Sequence, residues 1–252
     1  MWGVPKILTF GVLAFMAASD FLPMSQALRA EELEIEYATS LFWSGMSDVV
    51  IDDNYAYGAM PYGLIVLDIG DISVPVEVAR LYTAGASSGI AISGNYVYLA
   101  DETAGVQIIN VSNQLAPFTV GCCDTPGRAC QLVVTGSLVY VADYDAGLHI
   151  IDASNPAAPV LCGSCDTPGL ALGLDVSGGY AYVADSAAGI QIVNVSNRFA
   201  PLLVGTCDTP GGAMDVVVSD VYAYVADGAE GLQVVDITVK TSPEIAACCL
   251  LP

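Results

Sequence analysis

The chain has 252 residues, 54% of them apolar, with 27 acidic side chains against 6 basic and a formal net charge of −21. Nucleic acid and anionic lipid are poor partners, because both are gripped by clustered Lys and Arg. A single all-β domain of this length is ordinary, and so high an apolar fraction suits strands buried on both faces.

The first segment stands apart from the rest. Lys6 supplies a positive start, Ile7 to Ala18 form an apolar run, and Ser25-Gln26-Ala27 places small residues where a leader peptidase would cut. The run is short for a bilayer span. Residues 1–27 therefore read as a signal peptide, and the mature chain is expected to be exported (periplasmic, secreted or cell-surface) without membrane insertion. Residues 28–46 form an N-terminal segment, within which Glu34 to Phe42 read as a strand ahead of the first repeat.

Residues 47–252 keep a fixed beat. Asp-Thr-Pro-Gly occurs at Asp124 to Gly127, Asp166 to Gly169 and Asp208 to Gly211, and Tyr-x-Ala-Asp ends at Asp101, Asp143, Asp185 and Asp227, both at intervals of 42 residues. A period of this length marks one supersecondary unit, copied, that buries its apolar face only against its neighbours. Units start near Ser47, Ser88, Cys130, Leu172 and Met214. In the fourth, Leu172 to Val176, Tyr180 to Ala184, Ile190 to Val195 and Leu202 to Cys207 read as strands. They are separated by Ser177-Gly178-Gly179, by Asp185 to Gly189 and by Ser196 to Pro201. Gly63, Gly105, Gly147, Gly189 and Gly231 form a column where a positive φ is expected to turn the chain into the third strand. Pro75, Pro117, Pro159, Pro201 and Pro243 precede the fourth strand, whose outer edge is free and so tolerates a missing donor. The fold predicted is all-β, a β-propeller of about five four-stranded blades on a 42-residue repeat. The strand at Glu34 to Phe42 is expected to zip against the last blade and close the ring; a fragment of a longer array, or pairing with another molecule, are the alternatives.

Leu148-His149-Ile150-Ile151-Asp152-Ala153-Ser154-Asn155-Pro156 resembles the repeat named for its Leu-Val-Ile-Val-Asp core, as do Val106 to Asn113 and Ile190 to Asn197. The resemblance to LVIVD-repeat proteins covers about residues 38 to 252 and implies a propeller-like, exported protein, with no activity to carry over. The first unit departs most: Met60 replaces the recurrent Asp, and Trp43-Ser44-Gly45 stands where Thr-Pro-Gly would fall.

Strand directions alternate within a blade, so Asp101, Asp143, Asp185 and Asp227 are expected to share one face with Asp124, Asp166 and Asp208. These seven are the candidate ligand-binding residues. A ring of carboxylates suits a hard cation such as calcium, although no calcium-loop sequence is present. The competing reading is local: each Asp bonds its own turn, and a role repeated in every copy is more often structural than catalytic. Cys123, Cys165, Cys207 and Cys249 form a column too widely spaced to bridge to itself, and Cys162 and Cys165 are expected to face opposite sides of a strand. One or two disulfides from the remaining cysteines are compatible with export. The only histidine, His149, shares a column with Gln107, Gln191 and Gln233 and reads as a polar strand residue. No catalytic residue and no metal site is assigned. The function expected is a non-catalytic binding or structural module for a protein or glycan partner, with a metal-assisted hydrolase or lyase on the acidic face as the alternative.

Overall fold

The structure, a computed structural model, describes residues 45–250. The signal segment and the strand read at Glu34 to Phe42 lie outside the described residues. Twenty strands form five antiparallel four-stranded sheets, each in simple meander order. Blade 1 holds β1 Asp48–Asp52, β2 Tyr55–Met60, β3 Gly63–Asp68 and β4 Val76–Tyr82. Blade 2 holds β5 Gly89–Ser93, β6 Tyr96–Ala100, β7 Val106–Asn110 and β8 Phe118–Cys123. Blade 3 holds β9 Gln131–Thr135, β10 Leu138–Ala142, β11 Leu148–Asp152 and β12 Val160–Cys165. Blade 4 holds β13 Gly173–Ser177, β14 Tyr180–Ala184, β15 Ile190–Asn194 and β16 Leu202–Cys207. Blade 5 holds β17 Asp215–Ser219, β18 Tyr222–Ala226, β19 Leu232–Asp236 and β20 Glu244–Cys249. The one helical element among the described residues is a 3₁₀ turn at Gly228–Glu230.

The two middle strands of blades 1 to 4 are buried on both faces, as their near-continuous apolar sequence requires. Each blade has a forward face toward its successor and a rear face toward its predecessor. Between blades 2 and 3, Tyr98, Ala100, Val106 and Ile108 pack forward against Leu132, Val139, Val141, Ile151 and Ala153. The same pattern joins blades 4 and 5 through Tyr182, Ala184, Ile190 and Ile192. Each of these large side chains contributes roughly 1.5–3 kcal/mol on full burial, so the blades stand by stacking.

The glycine column enters the third strand as expected, with Gly105 at φ +67°. A Cβ there would lie 2.3 Å from the carbonyl oxygen of Cys123, so close approach of the outer strand adds a second demand for glycine. Every outer strand carries a register shift against the third strand, for example between Ile150 and Ile151 in blade 3. That bulge corrects one expectation. It resets the in-out alternation inside β12, so Cys162 and Cys165 pack against the same apolar cluster rather than facing opposite sides.

The inner strands β1, β5, β9, β13 and β17 surround a cavity of about 430 Å³. Successive inner strands pack on one another from β1 to β17, but β17 and β1 make no comparable contact, so no described strand zips the ring closed.

Candidate functional site

Chain direction places the β2–β3 type loops and the blade-to-blade linkers at the same end of the sheets, here termed the linker face. The four aspartates that end Tyr-x-Ala-Asp are fully buried there. Thr125 Oγ1 donates to Asp143 Oδ1 at 2.6 Å, and the Gly127 N–H donates to Oδ2 at 2.8 Å. Thr167 and Gly169 hold Asp185 at 2.7 and 2.8 Å, and Thr209 and Gly211 hold Asp227 at 2.6 and 2.8 Å. At the first junction Thr83, Gly85 and Ser87 hold Asp101 at 2.8, 3.0 and 2.7 Å. The linker that leaves one blade thus clasps an aspartate of the next, across 14 to 18 residues of sequence. Charge-assisted bonds of this kind are each worth roughly 1.5–3 kcal/mol.

The clasp explains the residues of Thr-Pro-Gly one by one. Threonine supplies the hydroxyl donor. Proline fixes φ between the two donors. Glycine is required because a Cβ at Gly127 would lie 2.2 Å from the Asp143 carbonyl oxygen. The expected local turn bond is not what the side chain makes: the turn is closed by backbone alone, Asp143 N–H to Gly147 O and Ala146 N–H to Asp143 O. The side chain points instead to the preceding linker, which offers it two donors, a hydroxyl and an N–H. Burial pushes the Asp185 carboxyl above the usual range, while the Thr167 hydroxyl and the Gly169 N–H pull it back.

The aspartates of Asp-Thr-Pro-Gly behave differently. Asp124, Asp166 and Asp208 are exposed on the linker face. Beside them, isolated bridges tie Glu102 to Ala129, Tyr144 to Ala171 and Ser186 to Ala213, stitching each loop to the next linker. Arg128 pairs with Glu102 at 2.8 Å and lies over the Tyr144 ring at 5.2 Å. The seven candidate residues therefore divide into four buried and fully engaged carboxylates and three free at the surface.

A further set was not read from the sequence. Asp48, Gln131 and Asp215 start inner strands at the linker end of the central cavity, with Asp175 deeper. Asp48 Oδ2 accepts from Gln131 Nε2 at 3.2 Å and from the Ile90 N–H at 3.1 Å. Asp175 accepts from the N–H groups of Val176 and Val218, both at 2.7 Å. Burial pushes Asp215 up to about 6, against the Val216 N–H, with Asp48 and Asp175 adding like-charge repulsion. Gly89 and Gly173 hold the same column as Asp48, Gln131 and Asp215, so no repeat marks it; a polar residue heading an otherwise apolar run was the available signal.

His149 is buried, with Nδ1 3.3 Å from Asp143 Oδ2 but lacking hydrogen-bond geometry. Desolvation lowers its pKa and Asp143 opposes the shift, so the neutral ring is favoured. The Nε2 groups of Gln107, Gln191 and Gln233 donate to backbone carbonyls three residues back. All eight cysteines are free thiols, and burial pushes Cys130 up to about 11. Asn110 and Asn194 cap their own turns through the Ser112 and Ser196 N–H groups. No group of three or more His, Cys, Asp or Glu able to hold a metal ion occurs among the described residues.

The LVIVD repeat profile matches five times, over residues 45–83, 84–125, 126–167, 168–209 and 210–250. No curated protein matches the chain. Among solved structures, the computationally designed Ika8 protein superposes with a TM-score of 0.63 at 12% identity over 77% of this chain. This chain spans 58% of the Ika8 chain. The computationally designed Ika4 protein superposes at 0.53 and 10% identity, over 62% of this chain and 94% of that one. Likeness at such identity bears on the fold alone.

Proposed function

The chain belongs to the LVIVD-repeat family, and on that footing we propose that it is an exported, non-catalytic binding module whose linker face meets a protein or glycan partner. The observation that carries this reading is the division among the aspartates. Four are committed to holding blades together, while Asp124, Asp166 and Asp208 recur at equal spacing on the same face and are exposed. A net charge of −21 favours a partner that offers cationic or hydrogen-bond-donating groups to that row. The sole histidine is buried beside a latch carboxylate, which leaves it no path to a substrate.

The test is binding of the mature chain, from residue 28, to arrays of basic peptides and of glycans, alongside the triple variant Asp124→Asn, Asp166→Asn, Asp208→Asn. Binding that the triple variant loses without a change in melting temperature supports the reading. Binding unchanged in the variant rejects the linker face as the contact.

A second reading rests on Asp215. A carboxyl raised toward neutrality at the mouth of a cavity is suited to acid–base chemistry. Turnover of a glycan substrate that Asp215→Asn abolishes, or that a chelator abolishes, would favour a hydrolase or lyase. Calcium titration belongs to this arm, since a saturable rise in melting temperature would point to a cation on the acidic face.

A further inference from the structure

Of the four blades with a clasped aspartate, three carry glutamine in the column beside it: Gln107 in blade 2, Gln191 in blade 4 and Gln233 in blade 5. Each anchors itself to the carbonyl three residues back, as when Gln191 Nε2 donates to Ala188 O at 2.7 Å. Blade 3 departs from them with His149, which is 4% exposed. Its Nδ1 is buried without a hydrogen-bond partner, 3.3 Å from Asp143 Oδ2 but out of line with it. Both oxygens of Asp143 meanwhile accept from the linker out of blade 2, through Thr125 and Gly127.

Few ionisable groups face the ring. On its own blade the cross-strand neighbours Val141 and Ser164 are uncharged, which leaves Asp143 as the charged neighbour. His149 shares a strand face with Ile151, which packs on Tyr98, Ala100, Val106 and Ile108 of blade 2. The titratable groups of that cluster are the Tyr98 hydroxyl and the Cys123 thiol, and burial pushes both up, so they stay neutral. On the linker, the Cys130 thiol is pushed up to about 11, Arg128 is paired with Glu102, and Asp124 is exposed to water. A proton added at Nδ1 would therefore be a buried donor with no acceptor in line. Water, which reaches the ring freely only when the junction opens, would solvate that proton in full.

We infer that the junction between blades 2 and 3 is an acid-opened joint: protonation of His149 loosens it, while the three junctions with glutamine in that column keep their hold. The direction follows from linkage. Burial lowers the ring's proton affinity below the ordinary value of 6.5, with Asp143 opposing, so the closed junction binds the proton less well than the open one. The contribution of His149 to closure is thus fully present above that value and is lost as pH falls below it. The joint does not depend on the partner proposed for the linker face, since it concerns only how blade 2 meets blade 3.

The test is amide hydrogen exchange on the mature chain from residue 28, corrected for the intrinsic pH dependence of exchange, between about pH 8 and about pH 5. The Ala129 N–H, which donates to Glu102 O at 3.1 Å, reports the joint. The Ala171 and Ala213 N–H groups, which donate to Tyr144 O and Ser186 O, report the next two junctions. Protection at Ala129 should fall about ten-fold toward acid, while that at Ala171 and Ala213 does not fall. His149→Gln, which installs the residue of the other three copies, should abolish the change. The chain's only histidine also gives a single imidazole resonance, a readout that needs no variant, and it should titrate below 6.5. Protection at Ala129 that holds or rises in acid overturns the inference, as does a fall that survives His149→Gln. A ring that titrates above 6.5 overturns it as well.

Discussion

The junction between blades 2 and 3 and the open flank of blade 5 are made from nearly the same residues. At the junction Tyr98, Ala100, Val106 and Ile108 are covered, and Thr125 and Gly127 clasp Asp143 across the boundary. At the flank Tyr224 and Leu232 stand more than a third exposed, and Met60 occupies the position where the next junction's aspartate would be. The difference teaches that blade sequence alone does not bury a blade. Burial is a property of the pair, and among the described residues the latch marks four junctions, each with one clasped aspartate.

The comparison can be broken most forcefully at the latch itself. Asp143→Ala leaves the Thr125 hydroxyl and the Gly127 N–H buried without their acceptor and should cost about 3 kcal/mol in urea unfolding. Loss of less than about 0.5 kcal/mol would mean the clasp adds nothing to stacking. Gly127→Ala comes next, at about 2 kcal/mol, because its Cβ would meet the Asp143 carbonyl oxygen at 2.2 Å. Ala at Gly136, where no atom lies within 4 Å, should cost about 1 kcal/mol for its positive φ alone. If the two cost the same, close approach at the linker is not the reason for glycine.

Asp215, held by the Val216 N–H alone, sharpens the contrast with the doubly clasped carboxylates. Its folded pKa, about 6, lies above the ordinary value of 3.8. The folded state therefore holds the proton more tightly, and stability is lost as pH rises from the ordinary value through the folded one. Asp215→Asn should raise the melting temperature near pH 7.5 and leave it unchanged near pH 4, a gain of about 1–2 kcal/mol. An equal effect at both pH values would remove the titration as its cause. The smallest effect is expected at the exposed row, where Asp124→Asn should stay within about 0.5 kcal/mol by the same unfolding measurement.

The 42-residue beat made the blade legible: the strands read as Tyr180 to Ala184 and Leu202 to Cys207 have those limits in the structure. Strict alternation failed at Cys162 because the outer strand bulges there, beside the glycine column Gly121, Gly163 and Gly205 that was available as a signal. The latch was half visible, since the unit that lacks the aspartate at Met60 also lacks Thr-Pro-Gly before it. What hid it was distance, as Thr125 and Asp143 are 18 residues apart and no local pattern joins them. The acids at the cavity mouth were illegible because the repeat does not preserve them. The flank of the last blade was read only as an alternative, since the repeat preserves its residues in full and closure by Glu34 to Phe42 was the expectation.

The most direct test of the latch is a double-mutant cycle between Thr125→Val and Asp143→Ala, read by urea unfolding. If the linker threonine holds the next blade's aspartate, the double variant should be less destabilised than the sum of the singles by about 1–2 kcal/mol. Effects that add within about 0.5 kcal/mol would contradict the account, and would leave the buried aspartates without a partner in the preceding linker.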